Sequence, residues 1–291
     1  METIGLIGIG VMGRTVAVKV IEGGHPVLAY DVSPACIEKA AALGVSIAPT
    51  LSDVARQARV ILMLLPGPAD VKACVAGLLA AAAPGTVIVD MATSDPATTV
   101  AMADLARARD VGYVDAPVLG RPATVGKWAL PAGGRPEDID RCRPVLKLFA
   151  AHVPHVGPPG AGHKIKLLNQ MMFGAINAMT AEMMAVAERI GIPPKLLFDT
   201  ITLSQAGTVS NLFKELGGRV AEERYDDPTF TVDLLIKDVA LGVKMAKEGG
   251  APPILGRSVE LINEIARAQG LGASDTSAMW KSYLHLWGKG R

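Results

Sequence analysis

The residues whose types and spacing could do chemistry gather just past the middle of the chain, in Gly160-Ala-Gly-His-Lys-Ile-Lys-Leu-Leu-Asn-Gln170. At helical spacing Lys166, Asn169, Gln170 and Phe173 fall at i, i+3, i+4 and i+7, so they share one face. A lysine and two amides on an otherwise apolar helix are costly to bury without partners. Lysine supplies a proton donor or, once its charge is disfavoured, a base; neighbouring amides can hold an oxygen in place. The competing reading is a solvated polar stripe, the commoner fate of a lysine and the one expected of Lys164. His163 is a rival base, although its place beside the break at Pro158-Pro159 favours a capping or solvent role.

A second group lies at the start. Ile4-Gly-Leu-Ile-Gly8-Ile-Gly10-Val11-Met12-Gly13 is an apolar strand running into Gly-x-Gly-x-x-Gly, followed by a helical pattern from Arg14 to Glu22. Such a turn can bind a dinucleotide. Gly8 makes the tight turn, Gly10 lets backbone approach a pyrophosphate, Gly13 packs helix on strand, and the phosphates meet free N–H groups at the helix start. Glycines also serve ordinary turns, so the flanks carry the reading. A second strand, His25 to Tyr30, ends at Asp31, about twenty residues on, where an acid would bind ribose hydroxyls. No arginine follows Asp31 immediately, and a carboxylate repels a 2′-phosphate, so NAD is expected over NADP. The other role for Asp31 is a strand-end turn.

These residues require a scaffold, and the pattern supplies one. Helices are expected over Pro34–Leu43, Ser52–Gln57, Ala69–Ala83 and up to Arg107. Strands are expected at Val60–Leu65, Thr86–Asp90 and Tyr113–Val118, the apolar Val60–Leu65 run being typical of a buried parallel strand. It closes on Pro66-Gly67-Pro68, which places Leu65 and Pro66 at the edge where a cofactor would lie. Repeated βα units imply an α/β fold, a Rossmann-type doubly wound parallel sheet over residues 1–159. Residues 160–291 read as all helix: a long one to Arg189, then Pro193–Leu203, Asn211–Glu223, Thr231–Glu248, Ile254–Gln269 and Thr276–Leu286, with Asp275 as an N-terminal cap. Residues 204–210 read as a loop without an assigned role.

Composition excludes several classes. The 291 residues carry 29 Lys+Arg against 28 Asp+Glu, a net charge of +1, so no global field recommends nucleic acid or an anionic membrane. Cys36, Cys74 and Cys142 lie far apart without metal-ligand spacing, which fits reduced thiols and a cytoplasmic protein with no metal site. No basic, cleavable leader is expected at the start of the chain. The most membrane-like run, Leu167 to Val186, is interrupted by Asn169, Gln170, Asn177 and Glu182, so a buried helix is expected. The apolar surface of a helical domain also suggests a homo-oligomer, a dimer or tetramer.

Taken together the motifs resemble the β-hydroxyacid dehydrogenase family, which includes 3-hydroxyisobutyrate dehydrogenases and tartronate semialdehyde reductases. The resemblance rests on Gly5-Leu-Ile-Gly-Ile-Gly-Val-Met-Gly13, Asp90-Met-Ala-Thr93-Ser-Asp-Pro96, Asp115-Ala-Pro-Val118, Gly160-x-Gly162-x-x-x-Lys166-x-x-Asn169-Gln170 and Phe230-x-x-x-Leu234-x-x-Lys237-Asp238. It implies that Thr93 lies near the nicotinamide, that the segment after Val118 holds a substrate carboxylate, and that Lys166 is the catalytic acid–base. Lys237 matches a lysine close to cofactor or substrate; a helix-surface ion pair with Asp238 is the competing reading. Where the family has Asn-Asn this chain has Asn169-Gln170. Where the family has Ser-Gly-Gly it has Leu119-Gly120-Arg121. Arg121 is either a bidentate anion clamp or a surface residue beside Pro122. Trp128 and Pro131 further suggest a reshaped pocket.

The reaction implied is reversible oxidation of the terminal alcohol of a small β-hydroxy acid. Lysine ionises near about 10.4 unperturbed, and desolvation together with an oxidised nicotinamide would lower that. Asn169 and Gln170 would orient the substrate oxygen. The alternatives are NAD(P)H-dependent reduction of small aldehydes such as glyoxylate or succinic semialdehyde, and a non-catalytic nucleotide-binding protein.

Overall fold

A computed structural model describes residues 2–203, 210–225, 227–251 and 253–288; most of the loop read at 204–210 lies outside them. The chain divides into two compact units, residues 1–166 and 167–291, against the boundary expected at 159/160. The dividing point falls inside one continuous helix, Ala161–Arg189.

The first unit is built on an eight-stranded sheet. In chain order it runs β1 (Ile4–Ile7), α1 (Val11–Glu22), β2 (Val27–Tyr30), α2 (Pro34–Ala41), β3 (Ser46–Ile47), α3 (Leu51–Gln57), β4 (Val60–Met63), α4 (Pro68–Leu79), β5 (Val87–Asp90), α5 (Pro96–Arg107) and β6 (Gly112–Asp115). Then come β7 (Trp128–Ala129), β8 (Ala132–Gly133), α6 (Pro136–Leu146), β9 (Ala150–His152) and β10 (His155–Gly157). The sheet order is β10-β8-β6-β5-β4-β1-β2-β3, with β7 and β9 paired separately. The strands from β3 to β6 are all parallel.

Alternation explains why helices cover both faces. Ile4, Leu6, Val60, Leu62, Val87 and Val89 turn toward α1 and α6. Ile7, Ile61, Met63 and Ile88, between or beside them, turn toward α3, α4 and α5. All four residues of β4 are fully buried, as a central parallel strand requires. At roughly 1.5–3 kcal/mol for each large apolar side chain, β4 is a principal source of the sheet's stability. Capping marks the helix starts: Ser33, Thr50 and Asp95 each accept from a backbone N–H three residues on.

The expected doubly wound parallel sheet is present, with one departure. β8 runs antiparallel to β6, joined at Asp115 and Gly133, while β10 is parallel to β8. Strands of two or three residues carry no readable period, which is why β3 and β7–β10 escape sequence patterning. Strands expected to reach Leu65 and Val118 end at Met63 and Asp115.

In the second unit the described residues are helical: most of α7 (Ala161–Arg189), α8 (Pro194–Leu203), α9 (Asn211–Ala221), α10 (Val232–Glu248), α11 (Ile254–Ala266) and α12 (Met279–Leu286). The helix expected to run to Gln269 gives way at Arg267–Leu271 to a wider turn, where Gly270 takes φ 86°. Asp275 accepts from Ser277 N as the expected cap. Ala178, Ala181, Leu235, Val239 and Met279 centre the core. Along α7 and the residue that follows it, Met172, Ile176, Met179, Met183, Val186 and Ile190 recur at alternating steps of four and three, the spacing of a coiled-coil seam. Met172 and Met179 are 61% and 57% exposed and Ile190 68%, and part of the stripe borders a groove of about 700 Å³ with Leu197, Ile201 and Phe213.

Candidate active site

The first unit sets the glycine-rich turn at the carboxyl ends of β1 and β4. β1 stands between β4 and β2, the point where strand order reverses and where sheets of this kind bind ligands. Gly8 adopts φ +87°, and a Cβ there would stand 2.3 Å from Leu64 O. A Cβ on Gly13 would stand 2.0 Å from Gly8 O, whereas one on Gly10 would meet nothing within 4 Å. Thus two glycines are required by the turn itself, and the third leaves open space over the start of α1. Val11 is exposed and Met12 packs against the core at that helix start. Leu65 is partly buried and Pro66 exposed just beyond β4.

Asp31 sits at the end of β2 and ties the turn together. Its Oδ2 accepts from Ile9 N at 2.7 Å and its Oδ1 from Ser33 N at 2.8 Å. It therefore does serve as a turn residue, and its carboxylate also lies against the glycine-rich loop.

Lys166 closes the unit. Its Nζ donates to Val118 O at 2.8 Å, immediately before Leu119-Gly120-Arg121. That segment is braced from below. Leu119 and Ala129 form an antiparallel bridge, and Trp128, fully buried, donates from Nε1 to Arg121 O at 2.8 Å. A Cβ on Gly120 would fall 2.1 Å from Trp128 Cδ1, so glycine at 120 and tryptophan at 128 require each other. Trp128 meets Phe149 edge to face, which anchors the brace in the core.

Behind Thr93, which is half-buried between β5 and α5, lies a buried polar network that sequence reasoning missed. The expectation of a capping or solvent role for His163 is wrong: the ring is wholly buried. Its Nε2 lies 3.0 Å from Ala92 O, and its Nδ1 2.7 Å from Thr99 Oγ1. A carbonyl only accepts, so Nε2 donates to Ala92 O; Nδ1 shares its hydrogen bond with a Thr99 hydroxyl that also contacts Asp95 O at 3.3 Å, and Nδ1 stands 3.9 Å from Asp115 Oδ2. Asp115 accepts from Gly160 N and His163 N with its two oxygens, which caps the start of α7. Burial raises the Asp115 carboxyl above its ordinary value, against the pull of His163 and those N–H groups. On the same β5–β6 edge Tyr113 donates to Asp90 at 2.8 Å; burial and that carboxylate hold the phenol well above its usual value. The readable signal was Asp115 itself, the polar end of an apolar strand.

The second unit gathers the other candidates. Gln170 Nε2 donates to Asp238 Oδ2 at 2.5 Å, and Asn169 Nδ2 donates to Gln170 Oε1 at 3.3 Å. Lys237 Nζ stands 2.7 Å from Asp238 Oδ1. Asp238 is 2% exposed, so a merely superficial ion pair is not what forms. Gln170 is buried as well; of the two amides Asn169 is the more open.

A cradle of two obligatory glycines and one open one, at the reversal point of a parallel sheet and beside an acid ending β2, defines a dinucleotide-binding oxidoreductase. Residues 3–157 match the family described as the NAD binding domain of 6-phosphogluconate dehydrogenase, and residues 160–283 that described as NAD-binding of NADP-dependent 3-hydroxyisobutyrate dehydrogenase. The chain belongs to the β-hydroxyacid dehydrogenase family, and a pyridine nucleotide is its cofactor. It is 31% identical to 2-(hydroxymethyl)glutarate dehydrogenase of Eubacterium barkeri, covering 98% of this chain and 96% of that one. It is 30% identical to a probable mitochondrial 3-hydroxyisobutyrate dehydrogenase of Dictyostelium discoideum, covering 96% and 90%. The crystal structure of 3-hydroxyisobutyrate dehydrogenase from Salmonella typhimurium is similar at TM-score 0.90 and 27% identity, over 97% of this chain and 99% of that one. Among the described residues no helix is long and apolar enough to cross a membrane.

Proposed function

We propose that the protein oxidises the terminal alcohol of a small β-hydroxy acid, reversibly, with NAD and with Lys166 as the catalytic acid–base. The observation that carries this reading is the hydrogen bond from Lys166 Nζ to Val118 O. It fixes the amine next to residues 119–121, the segment assigned to the substrate carboxylate. The bound nucleotide supplies a hydride acceptor. Lys166 then takes the hydroxyl proton on Nζ in oxidation and returns it to the carbonyl oxygen in reduction, a role worth roughly 10²–10⁴-fold in rate. Arg121 holds the carboxylate, Asn169 faces the reacting oxygen, and Thr93 and Lys237 border the nicotinamide. Residues 1–159 carry the nucleotide and 160–291 substrate recognition and assembly.

The Asp31 carboxylate against the glycine-rich loop supports NAD over NADP, because a 2′-phosphate would approach a negative charge. Arg121, in place of an uncharged residue, supports a second reading of the substrate as an acid with an additional anionic group. The Eubacterium relative is named for such a compound, 2-(hydroxymethyl)glutarate. Three unpaired cysteines support a cytoplasmic setting, and the α7 seam supports a homo-oligomer.

Initial rates of reduced-nucleotide formation on 3-hydroxyisobutyrate, 2-(hydroxymethyl)glutarate, glycerate, serine and 3-hydroxypropionate, each with NAD and with NADP, test the proposal. Lys166→Ala should lower kcat at least a hundredfold while NADH binding, followed by fluorescence, stays near wild type. Loss of turnover and of NADH binding together would make Lys166 structural. Inactivity of the wild type on the whole panel would favour small aldehydes in the reverse direction; inactivity there too, with NADH bound, would favour a non-catalytic nucleotide-binding protein.

A further inference from the structure

Within the first unit, Ala92 is pinned on both sides. Its N–H donates to Asp90 Oδ1 at 3.0 Å, and Asp90 Oδ2 is held in turn by the Tyr113 hydroxyl at 2.8 Å. Its carbonyl accepts from His163 Nε2 at 3.0 Å. Every described peptide is trans, and a trans peptide is planar, with its N–H opposed to its C=O. The bond that fixes the Ala92 carbonyl therefore also sets the direction of Thr93 N–H, where the chain enters the residue assigned to the nicotinamide. His163 itself is held at both ends. Its backbone N–H donates to Asp115 Oδ2 at 2.9 Å, and its Nδ1 lies 2.7 Å from Thr99 Oγ1 on α5. The Thr99 hydroxyl has one hydrogen. It goes to a bare Nδ1 or, when Nδ1 carries a proton, to Asp95 O at 3.3 Å. In both states Nε2 keeps its hydrogen for Ala92 O. The remaining state, with Nε2 bare, would set two acceptors against each other.

We propose that His163 is a positioning residue for hydride transfer: its ring ties the start of α7, which carries Lys166 three residues on, to the loop that carries Thr93, and so holds the acid–base amine and the nicotinamide site at one separation. The proposal rests on the dehydrogenase reading above and deepens it. In oxidation the carbinol of the substrate loses a hydride to the nicotinamide and its hydroxyl proton to Lys166 Nζ. One carbon and its oxygen must span the two, so the rate depends on the distance between them. His163 is wholly buried and acts only through its two neighbours. A displacement of about 1 Å between reacting groups costs on the order of a hundredfold in rate.

His163→Gln sets an amide NH₂ where Nε2 stood, whereas His163→Asn is too short to reach Ala92 O but can still meet Thr99. Single-turnover hydride transfer from the most active acid of the panel should fall roughly 10- to 100-fold in His163→Asn and recover to within about threefold of wild type in His163→Gln. KM and NADH affinity should stay within about twofold in both, since neither ligand meets the ring. A purely structural histidine would lower the folded fraction and leave transfer in the folded enzyme unchanged. That result, or equal slowing in the two variants, would overturn the proposal while leaving the dehydrogenase reading intact. Should His163→Asn fail to fold, a folded His163→Gln slowed about tenfold or more would overturn it alone. Inactivity of the wild type on the whole panel would count against the dehydrogenase reading, and the link is then read without turnover. In ¹⁵N-histidine-labelled wild type, ring correlation spectra should show a hydrogen on His163 Nε2. In His163→Asn, amide hydrogen exchange should quicken together in peptides covering 91–95 and 161–166, with β4 unchanged. A bare Nε2, or quickening in one of the two segments only, would overturn the link.

Discussion

A methyl group placed on Gly10 enters open space, since nothing lies within 4 Å of where its Cβ would stand, and its φ of −61° suits any residue. Its two partners differ. At Gly8 a Cβ would need to retreat from 2.3 Å to an ordinary contact of about 3.4 Å, a displacement of about 1.1 Å against the backbone of β4's last turn. At Gly13 the same sum from 2.0 Å gives about 1.4 Å against Gly8 itself. Overpacking of this kind costs about 1–3 kcal/mol, and the positive φ at Gly8 adds roughly 1–2 kcal/mol for any L side chain. Gly8→Ala should therefore lower stability by about 2–5 kcal/mol and Gly13→Ala by about 1–3 kcal/mol, a large share of the roughly 5–15 kcal/mol of a typical domain. Gly10→Ala should stay within about 0.5 kcal/mol of wild type. Nucleotide binding should invert the order of interest: the new methyl occupies the approach of the pyrophosphate, and an overlap of about 1–3 kcal/mol weakens NADH roughly 5- to 150-fold. Urea unfolding followed by circular dichroism measures the first quantity and NADH fluorescence titration the second. Wild-type affinity in a stable Gly10→Ala protein would refute the placement of the dinucleotide against this turn.

Three further outcomes follow from other parts of the chain. Although burial opposes it, hydrogen bonds from Ser277 and Thr229 and the charge of Arg219 hold the Asp275 carboxyl below its ordinary value. Its contribution is present above the unfolded value of about 3.9 and is lost as pH falls through the lower folded value. Asp275→Asn should thus cost about 1–3 kcal/mol at pH 7, and the gap to wild type in urea melts should narrow below about pH 4; a gap independent of pH would refute it. Burial pushes the Cys142 thiol up to about 12 and, with the charge of Asp70, Cys74 up to about 11, so both should react with a thiol reagent at neutral pH only after denaturation. Rapid labelling of either in the native protein, mapped by mass spectrometry, would contradict that. Met183→Glu sets a charge in the α7 seam and should shift sedimentation from an oligomer toward the 30.3 kDa chain; a wild type already monomeric at micromolar concentration would dispose of the seam as a subunit contact.

Those features that depend on neighbours in sequence were legible. The glycine-rich turn, the strand read at Val60–Leu65 and the cap at Asp275 each state their geometry within a few residues. Asp31 was also legible as the turn residue that ends β2. What escaped depends on residues far apart. His163 reads locally as a residue beside a loop, yet its partner Thr99 is 64 positions away. Gln170 reads as a site amide, yet it turns inward to Asp238, 68 positions on. Strands β7 to β10 escaped for a different reason: runs of two or three residues carry no period, and their partners lie about twenty positions away.

The exposed stripe of α7 has a chemical consequence of its own. Met172, Met179 and Met183 place three thioethers on one apolar face within reach of solvent. Peroxide converts each to a sulfoxide, a polar group on a rod whose other seam residues, Ile176, Val186 and Ile190, are inert aliphatics. In a protomer whose seam no second copy covers, oxidation should therefore begin on this face rather than at Cys74 or Cys142, in steps of one oxygen atom, and methionine sulfoxide reductase should undo it; assembly through the seam should slow it.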